Sequence, residues 1–156
     1  MIRRGLLLGA LALAGCGFEP AYGPGGADVL RGAVRADDPD NEAGFEFIGR
    51  IEARLDRPAA PRYALAYDIS TRRVAIGIDG SNRITRYNVE GTVAWTLTAI
   101  GSETPLLQGT ERSFTGYSVS GERLATPEPA RDATRRLMII LADRVVARLL
   151  AGADAL

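Results

Sequence analysis

Along the middle of the chain Tyr87, Val89, Gly91, Val93, Trp95, Leu97 and Ala99 alternate with Arg86, Asn88, Glu90, Thr92, Thr96 and Thr98. A period of two marks a strand with one apolar and one polar face. Fourteen residues at about 3.3 Å each exceed the usual strand, which predicts a sheet that projects beyond its helical cover, into a partner or solvent. Upstream, Tyr63, Leu65, Tyr67 and Ile69 alternate in one phase and Val74, Ile76 and Ile78 in the other, so a bulge or loop is expected at Ser70 to Arg73. Asp79, Gly80, Ser81 and Asn82 supply the chemistry of a hairpin turn. Downstream, Gly101 to Pro105 form a second turn and Leu106 to Val119 a further strand of weaker alternation. Val29 to Val34 reads as a short first strand.

Two segments carry helical periodicity. Phe45, Ile48, Ile51 and Leu55 recur between charged residues, with Asp40 or Asn41 as cap and Pro58 as stop; this apolar stripe is expected to face a sheet. Thr126, Pro127 and Glu128 open a last helix running to about Ala151. Its stripe is Leu137, Met138, Leu141, Val145 and Leu149, with Asp132, Arg136 and Asp143 opposite and Arg144 and Arg148 at one margin. Ile139 and Val146 widen the stripe and read as core rather than as a partner surface. The pattern predicts an α+β two-layer sandwich: two helices on a mostly antiparallel sheet of about four strands.

Composition narrows the function. The 19 basic residues, all Arg, balance 19 acidic ones, and there is no His and one Cys, Cys16. A neutral chain gives no electrostatic reason to expect nucleic acid as a partner. Without His the commonest general base and metal ligand is missing, and a lone Cys excludes an internal disulfide and a Cys-rich zinc site. The partial motifs fail in turn. Gly116, Tyr117, Ser118, Val119, Ser120 lacks the closing Gly of a nucleophile elbow, and Gly23 to Gly26 lacks the Lys of a phosphate loop. Asp38, Asp40 and Glu42 have calcium-loop spacing, but Gly49 stands where the last acid belongs. No enzyme, metal or cofactor is expected.

The N-terminus supplies the compartment. Arg3 and Arg4 precede an apolar run from Gly5 to Ala14, too short for a membrane-spanning helix, which needs about 20 residues, and laid out as a secretory signal. Leu13, Ala14, Gly15 and Cys16 fit a bacterial lipobox, so cleavage before Cys16 and its acylation are expected. Residues 1–15 are then a signal peptide, 16–27 a Gly/Pro leash carrying the lipid, and 28–156 the folded domain. Loss of Arg3 and Arg4 leaves the mature chain slightly acidic.

Arg72, Arg73, Arg83 and Arg86 are the candidate binding residues. Two sit at the expected bulge and two flank the hairpin turn, so strand pairing could bring them to one end of the sheet. Guanidinium groups there suit the phosphates of lipid A or an acidic protein surface. Pairing with Asp79 or Glu90 would instead leave them as surface charge.

Cys16, Gly17, Phe18, Glu19, Pro20, Ala21, Tyr22 and Gly23, the central ITRYNV of Ile84 to Val89, and the Ala125 to Ala133 run before the last helix resemble the LPS-assembly lipoprotein (LptE) family. The resemblance implies two helices on a four-stranded sheet. It implies a lipid-anchored protein of the outer membrane that plugs the large β-barrel LptD and assists lipopolysaccharide transport to the outer leaflet, binding lipopolysaccharide through basic residues. An accessory lipoprotein of an ABC-type phospholipid transport system is the alternative with the same lipobox and a similar domain.

Overall fold

The long alternating strand lies at the centre of the sheet. In the computed structural model, which describes residues 26–119 and 127–156, it spans Ile84–Ala99 (β3). Tyr63–Ile78 (β2) and Pro105–Ser118 (β4) flank it in antiparallel register. A three-residue strand, Val34–Ala36 (β1), joins β2 in parallel and completes the order β1-β2-β3-β4. Gly26–Leu30 (α1), Glu42–Leu55 (α2) and Glu128–Ala151 (α3) are helical, and a 3-10 turn, Ala153–Ala155, follows. The expected α+β sandwich is therefore present, with α1 as an additional short helix.

The core forms where the odd-numbered face of β3 meets the stripe of α3. Val93 and Leu97 are fully buried, as are Leu137, Met138, Leu141, Val145 and Leu149; Val146 joins them, and Ile139 is half-buried. Gly91 permits the close approach of α3, and Gly109 makes room for Trp95 within the sheet. A Cβ on Gly91 would lie 2.9 Å from Leu137, and one on Gly109 would lie 2.8 Å from the Trp95 ring.

Along β4 polar contacts stitch the helix to the strand. Thr115 donates to the Ala133 carbonyl at 2.7 Å, Arg136 to the Gly116 carbonyl at 3.3 Å, and Arg144 to the Arg112 carbonyl, while Arg148 meets Glu111 at 3.3 Å. Two turns of helix and four residues of strand both advance roughly 12 Å. Arginines at 136 and 144 therefore meet carbonyls at 116 and 112 on an antiparallel path.

Several expectations shift. Val29 to Val34 is not a strand: α1 ends at Leu30, and Gly32 at φ 60 turns the chain, its N–H bonded to the Leu55 carbonyl at 2.6 Å, before β1 begins. On α2 the buried apolar residues are Phe47, Ile51 and Leu55, whereas Phe45 is 68% exposed. That stripe lies mainly along α3, touching the sheet through Phe47 against Tyr67 with ring centroids 5.1 Å apart. Asp143, expected on the outer face of α3, turns to α2 and binds Arg50 at 2.9 and 3.0 Å.

No bulge occurs at Ser70 to Arg73, where pairing is regular; the irregularity falls between Ala75 and Ile78. The phase change instead arises because the apolar residues pass to the uncovered face where the helices no longer demand burial. Asn41 is the cap of α2, accepting from Gly44 N–H at 2.9 Å. Thr126 lies outside the described residues, and Pro127 precedes α3 without a side-chain cap.

Candidate functional site

The even-numbered face of the sheet has no covering layer among the described residues. Its central rows carry small or polar side chains: Ala66, Asp68 and Ser70 on β2, Thr92, Ala94 and Thr96 on β3, Gln108 and Thr110 on β4. Two adjoining shallow depressions result. One is lined by Ala66, Asp68, Ala94, Thr96, Gln108 and Thr110, the other by Ser70, Arg72, Glu90, Thr92, Arg112 and Phe114. Phe114 is 63% exposed there, the single aromatic ring among the described residues of this saddle.

Beyond this saddle β2 and β3 continue to a hairpin tip. The tip is closed by Asp79, whose Oδ1 accepts the N–H of Ser81 at 2.8 Å and of Arg83 at 3.0 Å, while Oδ2 accepts Arg83 Nε at 2.9 Å. Asn82 takes φ 59, a backbone state Asn tolerates better than most residues. The backbone bond from Arg83, with help from Ser81 and the guanidinium, holds the Asp79 carboxyl below its ordinary value of 3.8. Ile76, Ile78 and Ile84 lie exposed beside the turn, Ile78 opposite Ile84.

The four candidate arginines share this half of the hairpin but do not form one cluster. Arg72 lies on the uncovered face and reaches Glu90 at 2.6 Å. Arg73 lies on the helix side, its guanidinium 5.1 Å from the Tyr87 ring centre and 3.5 Å from the Tyr117 hydroxyl. That hydrogen bond raises the Arg73 pKa, and the two tyrosines stack with centroids 5.5 Å apart. Arg83 is tied into the turn by Asp79. Arg86 projects from the uncovered face opposite Gly77, and its guanidinium makes no ion pair or hydrogen bond among the described residues.

Cys16, the expected lipidation site, and the leash after it lie outside the described residues. ITRYNV opens β3 at the hairpin tip, and the C-terminal part of the Ala125 to Ala133 run opens α3. Among the described residues no group of acids or cysteine is arranged to hold a metal ion, and no helix is long and apolar enough to cross a membrane.

Sequence reasoning passed over Phe114 and the Arg73–Tyr87–Tyr117 stack. Parity in β4 signals Phe114, because an aromatic at an even position must face away from the helices. The stack needs the register that pairs Tyr87 with Tyr117 and Arg73 with Val89.

The same architecture occurs in solved lipoproteins. A lipoprotein candidate of Caulobacter crescentus CB15 superposes with a TM-score of 0.65 at 17% identity, over 80% of this chain and 92% of that one. Rare lipoprotein B of Shewanella oneidensis gives 0.55 at 15% identity, over 76% and 92%. A minor lipoprotein of Acinetobacter baumannii gives 0.56 at 13%, over 77% and 90%. The fold is theirs. No family model matches the sequence, and comparison with curated proteins gives no match.

Proposed function

We propose that the chain is a non-catalytic lipoprotein of the outer membrane, anchored through Cys16, that plugs and assists an LptD-type β-barrel in moving lipopolysaccharide to the outer leaflet. The observation that carries the reading is the pairing of a lipobox with a fold whose solved counterparts are lipoproteins over most of their length. The uncovered face of the sheet supports it. A plug inside a barrel meets a polar wall, and interfaces of that kind are served by hydroxyls, amides and arginines rather than by an apolar patch.

Lipopolysaccharide joins phosphates to acyl chains, and the hairpin tip offers matching chemistry: Arg83 and Arg86 beside exposed Ile76, Ile78 and Ile84. Arg72 and Arg73, held by Glu90 and by the tyrosines, add charge on the two faces behind the tip. Binding of purified lipopolysaccharide to the mature chain is the test, with the double variant Arg83→Gln, Arg86→Gln as comparison. Weaker binding by an intact fold is expected. Undiminished binding removes the tip from the site, and absence of binding by the unsubstituted protein overturns the ligand.

A further inference from the structure

The two edges of the sheet are finished differently. On β4 the carbonyls of Arg112 and Gly116 accept guanidinium groups from Arg144 and Arg136, so bulky cations stand where an incoming strand would lie. On the opposite side β1 covers only Tyr63, Ala64 and Leu65 of β2, and Asp37 N–H adds one bond to the Leu65 carbonyl at 3.0 Å. The backbone groups of Tyr63 and Leu65 point to this edge. Alternation along an antiparallel strand sends those of Ile69, Thr71, Arg73 and Ala75 the same way, and no strand pairs with them among the described residues. Ser70, Thr71, Arg72 and Arg73 are all exposed.

We propose that the outer edge of β2 between Ile69 and Ala75 receives an extended, acidic segment of a partner protein by strand addition. An open run of N–H and C=O groups is the template such addition uses, and one guanidinium stands on each face of it: Arg72, which shares Glu90 and would turn to a second carboxylate, and Arg73, which rests on Tyr87 with no carboxylate partner among the described residues. An added strand with carboxylates at neighbouring positions meets both. The chain's own leash is a poor occupant, because Pro20 and Pro24 interrupt the donors a strand must supply. A second copy is poor too, since antiparallel pairing about this segment sets one of Arg72 and Arg73 directly against its own equivalent and leaves the other diagonally across from its own. The inference does not rest on lipopolysaccharide binding, and its failure leaves that reading untouched.

The test is amide hydrogen exchange by NMR on the whole mature chain, with a synthetic peptide of about ten residues carrying Glu on both strand faces in a Val/Thr background. Alone, the protein exchanges Thr71 and Arg73 amides quickly while Arg72 and Val74, bonded to β3, stay slow. The Glu peptide slows Ile69, Thr71, Arg73 and Ala75, a Lys counterpart does so less, and Thr71→Pro, which removes only an outward N–H, abolishes the effect. The double variant Arg72→Gln, Arg73→Gln erases the preference for Glu over Lys. No slowing by the Glu peptide, equal slowing by the Lys peptide, or slowing that grows with protein concentration alone overturns the proposal.

Discussion

Gly109 stands where the Trp95 indole crosses β4, and the ring takes the space a side chain would need. Overpacking of this kind typically costs about 1–3 kcal/mol. Gly109→Ala should therefore lower the urea midpoint by an amount in that range without changing the slope, whereas unchanged stability would show that the indole moves aside freely. Asp79 acts through hydrogen bonds instead. Its folded pKa lies below its unfolded value, so the contribution to the turn is complete above the unfolded pKa and disappears as pH falls through the folded one. An NMR titration of the Asp79 carboxyl should give a midpoint below 3.8, and Asp79→Asn should move the amide shifts of Ser81 and Arg83. A midpoint at or above the ordinary value contradicts the turn geometry.

At the scale of elements, β3 was legible because both its faces are constrained: one is buried under α3 and the other is left to polar groups. The stripe of α3 was legible for the same reason. Two arginines on α3 carried no such signal. Arg136 and Arg144 look like solvated charge on a helical wheel, and only the antiparallel path of α3 along β4 brings them to the Gly116 and Arg112 carbonyls. Arg136→Gln with Arg144→Gln should leave the fold intact, because each such contact is worth about 0.5–1.5 kcal/mol, and should unblock β4. Sedimentation is expected to show concentration-dependent association of the double variant and a monomeric parent; a monomeric variant contradicts the sealing role. The helix α2 was read less well. Phe45 and Phe47 both fit a helical stripe, and the choice of Phe47 depends on the position of Tyr67, which the local pattern does not contain. The four arginines illustrate the same limit: their placement on one half of a hairpin followed from spacing, but face and partner followed only from register.

For the whole molecule, the proposed function joins an N-terminal lipid to a sandwich whose polar face and hairpin tip, uncovered among the described residues, are available to partners. Cys16 is the single cysteine of the chain, so the proposed lipidation has one candidate site. Cys16→Ala should abolish incorporation of labelled palmitate and release the protein from the membrane fraction, and continued labelling would contradict the lipobox. Leu141 of α3 is fully buried, and its replacement by Ala should lower the unfolding free energy in urea by about 2–5 kcal/mol. The most direct measurement is affinity purification of the chain, expressed with its own signal segment, from separated inner and outer membranes in mild detergent. Recovery of a large outer-membrane β-barrel of the LptD type from the outer-membrane fraction is expected; recovery of an inner-membrane phospholipid transporter with no barrel would contradict the proposed function.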